Sequence, residues 1–180
     1  VYIINLETGE RRQIKEKSPS YMRFSPKGKY TYWYQDQDSS WYTRSTADGK
    51  EYRLTTPQTF AAWDEDNDVP DYPSPYGIAG WTDDDQSILI KDRYDIWKFD
   101  PIAASSPVNL TVNGRKEQIT YSLIQLDREK RAYNTSEAQY LTGFNERTKG
   151  SGYYTTRLNK PVAPKALLAG NFKLAALAKA

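Results

Sequence analysis

A chain of 180 residues, 38% hydrophobic and 27% charged, is long enough to bury a core and to form one domain or part of a larger one. Its 25 Lys and Arg against 23 Asp and Glu leave a net charge of +2, with both signs interspersed. That distribution offers no basic stripe to track nucleic acid, and no apolar run approaches the roughly 20 residues of a membrane span. Cysteine and histidine are both absent, which excludes disulfides, thiolate catalysis, cysteine metal sites and an ordinary Ser-His-Asp triad within this chain.

The elements read as strands in short aromatic runs, in keeping with 15 Tyr and five Trp. "VYIINL", "ETGE" and "RRQI" read as strand, turn and strand, with Thr8-Gly9 supplying the hairpin. No initiator methionine or signal-peptide pattern precedes this hairpin, so the chain is expected to be a piece of something longer. "SYMRF" meets a turn at "SPKGK", where Pro26 presets the bend and Gly28 permits a positive φ. "YTYWYQ", "WYTRST" and "EYRLT" complete four strands between Ser20 and Thr55. The grammar recurs through "GIAGW", "SILIKD", "IWKFDP" and "VNLT", and more loosely through "ITYSLIQLD", "QYLTGFNERT", "GYYTTRL" and "PKALLAG". A polar insertion, "REKRAYNTSEA", interrupts the last copy, and the tail "NFKLAALAKA" is the only passage with helical character.

The endings "RLT" and "NLT", at Thr55 and Thr111, lie further apart than the roughly 40–45 residues of a plain propeller blade. A proline-rich acidic insertion, residues 56–76, accounts for the excess. The expected fold class is all-β: a β-propeller segment of four-stranded antiparallel blades, about three to four of them, not a closed ring. Residues 1–17 end one blade, 18–55 and 77–111 form two more, 117–170 form another, and 171–180 begin a further unit.

The stretch "KDRYDIWKFD", Lys91 to Asp100, concentrates charge and aromatics. Its preferred reading is structural: Asp92 and Asp95 accept backbone N–H groups at a turn, and Arg93 between them gains a local ion pair. Asp64, Asp66 and Asp68 have the spacing that opens a calcium loop, yet Val69 stands where the loop needs glycine and Pro75 where it needs glutamate. A solvated acidic loop is therefore expected. Pro73 and Pro75 in "DYPSPYG" stiffen that connection, and "KGSGYY", Lys149 to Tyr154, reads as a hairpin turn lacking the spacing of a phosphate loop. No serine sits in a Gly-x-Ser-x-Gly elbow. No catalytic, cofactor-binding or metal residue is assigned, and no cofactor is expected.

"SPKGKY" at Ser25 to Tyr30, the long block "WDEDNDVPDYPSPYGIAGWTDDDQSILIKDRYDIWKFDP" from Trp63 to Pro101, "PVNLT" at Pro107 to Thr111 and "GFNERTKGSGYY" at Gly143 to Tyr154 carry a resemblance. They resemble the N-terminal β-propeller of prolyl oligopeptidase family serine peptidases, in the dipeptidyl-peptidase-like branch. The resemblance implies a parent enzyme in which this propeller precedes a C-terminal α/β-hydrolase domain, its partner, and admits and positions peptide substrates for a triad that lies there. It also implies a periplasmic or secreted location. The paired glutamates that hold a substrate amino terminus in that branch have no Glu-Glu counterpart here, and Asp64-Glu65-Asp66 is not taken as a substitute. The rival expectation is an autonomous protein- or carbohydrate-binding propeller module using Tyr and Trp on its rims. Either way, open blade edges are expected to favour self-association.

Overall fold

The computed structural model describes residues 1–16, 21–127, 129–171 and 174. Within them the strands form four separate antiparallel sheets, none closed into a barrel. The first pairs β1 (Tyr2–Ile4) with β2 (Arg11–Gln13). The second holds β3 (Met22–Phe24), β4 (Tyr30–Gln35), β5 (Ser40–Ser45) and β6 (Glu51–Arg53). The third holds β7 (Ile78–Trp81), β8 (Ile88–Lys91), β9 (Ile96–Phe99) and β10 (Val108–Asn109). The fourth holds β11 (Ile119–Ile124), β12 (Gln139–Asn145), β13 (Ser151–Thr156) and β14 (Lys165–Gly170). Spatial order follows chain order in every sheet, so each of the last three is a four-stranded meander, the open blade expected from the sequence.

Side-chain alternation explains how the sheets stack. Ile88, Leu89 and Ile90 in β8 are all fully buried, which a strand achieves only when both faces of its sheet are covered. Ile88 and Ile90 enter a cluster with Tyr32, Trp41 and Trp81, which joins the second sheet to the third. Leu89 enters a different cluster, with Tyr121, Leu141 and Tyr154 of the fourth sheet. Each of these aliphatic side chains contributes about 1.5–3 kcal/mol by leaving water. At the first seam Tyr30 stacks on Trp81 at 5.9 Å and 13°. On the fourth sheet's side of the second, Tyr154 of β13 meets Tyr121 of β11 edge-on at 5.3 Å.

The turns carry the same logic. Gly28 takes φ +73° and its N–H donates to the Ser25 carbonyl at 2.9 Å, closing the bend that Pro26 begins. The two "LT" endings do identical work. The Thr55 hydroxyl accepts the Trp41 N–H at 2.9 Å, and the Thr111 hydroxyl accepts the Ile96 N–H at 3.1 Å, each tying the end of a blade to the start of its third strand or the residue beside it. The repeat in sequence is thus a repeated hydrogen bond.

Three features differ from the sequence reading. In the insertion 56–76 the acidic run 65–71 is exposed as expected, but Phe60 and Ala62 ahead of it are buried, and Phe60 meets Phe99 and Trp97 edge-on at 5.1 and 5.4 Å. The polar insertion before β12 buries Tyr133, whose backbone bridges Thr82 in parallel and whose ring lies over Gly80, where a Cβ would meet Tyr133 Cε2 at 2.6 Å. Residues Gly114–Glu117 form a one-turn helix, α1, that local pattern gave no sign of, while most of the helical-looking tail lies outside the described residues.

Candidate functional site

The turn between β8 and β9 is built around two buried carboxylates. Asp92 Oδ1 accepts the Tyr94 and Asp95 N–H groups at 2.8 and 2.6 Å, and Asp92 Oδ2 accepts the Trp97 indole N–H at 3.2 Å. Burial pushes the Asp92 carboxyl up; the Asp95 and Tyr94 N–H groups, and the Arg115 charge, oppose it. Asp95 reaches in the other direction. It accepts the Thr111 hydroxyl at 2.5 Å and the Gly114 and Arg115 N–H groups at 2.9 and 3.1 Å, which fixes the start of α1.

Arg93 does not pair with the carboxylates on either side of it. Its guanidinium reaches Asp66 at 2.7 Å and grips Glu146 with two bonds of 3.2 Å, joining residues far away in sequence. Arg115 makes the parallel link, bidentate to Glu65 at 3.3 and 3.0 Å and 3.6 Å from Asp92. Tyr94 lies between them, with the Arg93 and Arg115 guanidinium carbons 5.4 and 5.3 Å from its ring centre and its hydroxyl donating to Glu146 at 2.8 Å. Burial pushes the Glu146 carboxyl up, but Arg93 and the Tyr94 hydroxyl outweigh it and hold the group below its ordinary value. The acidic segment is therefore a strap, latched through Asp66 to the β8–β9 turn and through Glu65 to α1, while Arg93 ties that turn on to Glu146 of the fourth sheet.

Antiparallel alternation places the β4–β5, β8–β9 and β12–β13 turns at one common end of their sheets. The strap crosses this end. At its far side the Tyr34 hydroxyl lies 3.5 Å from the Pro73 carbonyl, and Trp63 bridges Pro75. Beside it opens a cleft of about 420 Å³ between the second and third sheets, walled by Tyr32, Tyr34 and Trp41, with Ile78 opposite. Tyr21, 78% exposed, stands at its edge. Arg23 and Asp36 also line it, and neither joins an ion pair with another described residue. Burial pushes the Tyr32 phenol up, with the Arg23 charge opposing; burial also raises Tyr34, and Asp36 adds to that rise.

The other motifs resolve as local structure. Asp64 Oδ1 accepts the Asp66 N–H at 3.1 Å, Asp66 is committed to Arg93, and Asp68 is exposed; no group of three or more metal-ligating side chains forms among the described residues. "KGSGYY" begins in the hairpin turn, with Lys149 at φ +61° and the Asn145 N–H donating to Gly150 at 2.9 Å. Lys91, its amine pushed down by burial, donates to the Ser122 hydroxyl at 3.1 Å, and neither residue lines the cleft. Among the described residues no helix is long and apolar enough to cross a membrane. Compared with known protein families and with curated sequences, the chain matches neither a family model nor a curated protein.

Proposed function

We propose that this chain is the non-catalytic propeller portion of a serine peptidase of the prolyl oligopeptidase type, gating and positioning peptides for an α/β-hydrolase domain carried by other polypeptide. One observation carries the reading: the seam between two stacked blades opens into a 420 Å³ cleft with aromatic walls, one cation and one anion. Such a surface suits an apolar ligand with a few fixed polar contacts. The complete lack of histidine removes the usual general base, so bond cleavage belongs elsewhere. The strap, latched beside the cleft, narrows what reaches it.

The rival reading, an autonomous protein- or carbohydrate-binding module, would draw on exposed rim tyrosines such as Tyr21, Tyr72 and Tyr140, since all five Trp are buried or half-buried. Open blade surfaces add a second partner: Tyr140, Phe144 and Leu168 are exposed on the fourth sheet, and a second copy would cover them. Sedimentation across a dilution series tests this, and a monomer at every concentration would count against it.

The test of the main proposal is the genomic reading frame beyond the codon for Ala180. A downstream hydrolase segment with a Gly-x-Ser-x-Gly elbow is the expected result. A stop codon, or a receptor-like module, would overturn it.

A further inference from the structure

We propose that the cleft between the second and third sheets binds a free peptide of three or four residues through both of its termini, the carboxylate at Arg23 and the ammonium at Asp36. The choice of a peptide rests on the proposed function; the two-ended recognition rests on geometry alone.

Register sets the backbone spacing of the two charged residues. Arg23 on β3 is directly opposite Tyr32 on β4, and Asp36 lies just past the end of β4, four positions beyond Tyr32. At about 3.3 Å per residue their backbones stand about 13 Å apart along the strand direction, and both side chains line the one cleft. An extended chain spans about 3.3–3.6 Å per residue, so three to four residues bridge that distance and longer peptides overrun one station. The aromatic wall of Tyr32, Tyr34 and Trp41 lies between the two charges and offers apolar contact to the middle of the ligand. β3 is also an edge strand of its sheet, so the backbone groups on its free side are open to a ligand's main chain.

Charge sets the polarity. A lone guanidinium favours the carboxylate end and a lone carboxylate favours the ammonium end, and reversing the ligand would place like charges together at both stations. Internal peptide segments, which lack terminal charges, gain nothing from either.

Calorimetric titration of the full chain with the free tetrapeptide Ala-Pro-Ala-Leu, its N-acetyl form, its C-amide form and the doubly capped form tests this. Each single cap is expected to weaken binding about tenfold, and both caps more than either. Arg23→Gln is expected to abolish the penalty of the amide cap alone, and Asp36→Asn that of the acetyl cap alone. Equal binding of all four peptides, no binding of the free peptide at millimolar concentration, or cap penalties that survive in the matching variants would overturn the proposal. Should a variant fail to fold, the four peptides on the unaltered chain decide. Terminus-dependent binding without a downstream hydrolase would uphold this site and sink the peptidase reading. A downstream hydrolase with cap-insensitive binding would do the reverse.

Discussion

The Ser25 hydroxyl donates to the Asp85 carboxylate at 2.5 Å across the seam between the second and third sheets. The same carboxylate, 2% exposed, accepts the Lys27 N–H at 3.1 Å and the Lys29 N–H at 3.2 Å. One side chain of the third sheet thus holds the whole β3–β4 turn of the second.

Replacing that carboxylate with an amide exposes the arrangement to test. Asp85→Asn points an NH2 group at donors that need acceptors, and the expected loss is about 3 kcal/mol, as for a buried charged acceptor removed from its partners. Urea denaturation is expected to show a lower midpoint with an unchanged slope. A midpoint within error of the parent chain would show that the seam does not depend on this clamp.

The paired threonines make a graded prediction. Thr55→Val removes the acceptor of the Trp41 N–H, whereas Thr111→Val removes the acceptor of the Ile96 N–H and also one of the three donors to the buried Asp95 carboxylate. Losses of about 1 kcal/mol and about 2–3 kcal/mol follow. Equal losses would mean that Asp95 draws nothing from Thr111.

How far the fold could be read from sequence depends on the range of each interaction. The blade meanders were legible because alternation and turn chemistry act within a few residues, as in "SILIKD" and "SPKGK". The "LT" repeat pointed to a shared role at Thr55 and Thr111. Asp85 carried no signal of its own, because its partners at Ser25, Lys27 and Lys29 lie in the preceding sheet. Arg93 read as a local ion pair for the same reason, although its partners are Asp66 and Glu146. The cleft drew no signal at all, since its walls come from Tyr21 through Ile78 and meet only after two sheets stack. Tyr133, in a polar stretch, was invisible until Gly80 gave its ring a place to lie.

The strap latch should respond to charge. Arg93→Gln removes the links to Asp66 and Glu146 together, and each partly exposed pair is worth about 1 kcal/mol or less. Hydrogen exchange over residues 64–72 is expected to quicken while β8 keeps its protection, and added salt should produce a milder form of the same change in the parent chain. Unaltered exchange in the strap would contradict the latch.

Alkaline pH should weaken the fold through its tyrosines. Burial pushes the Tyr42 and Tyr121 phenols up to about 12 from 10.0, with Asp38 adding to the first and Tyr154 to the second. A raised folded value means that the unfolded chain loses its phenolic protons first, so the native state binds more protons in that window. The contribution is complete below pH 10 and is lost as pH rises towards 12. Urea midpoints should fall across this range, and tyrosinate absorbance should lag in the folded chain. A midpoint that holds steady to pH 12 would contradict the assignment.

The proposed role of these blades, shaping access to chemistry performed elsewhere, is tested most directly by assaying the purified chain against chromogenic dipeptides alongside labelling with a serine-directed fluorophosphonate. The expected result is no turnover and no labelled serine. Turnover that tracks the chain through purification and vanishes in Ser122→Ala, with the label on Ser122 beside Lys91, would place the reaction here and contradict the account.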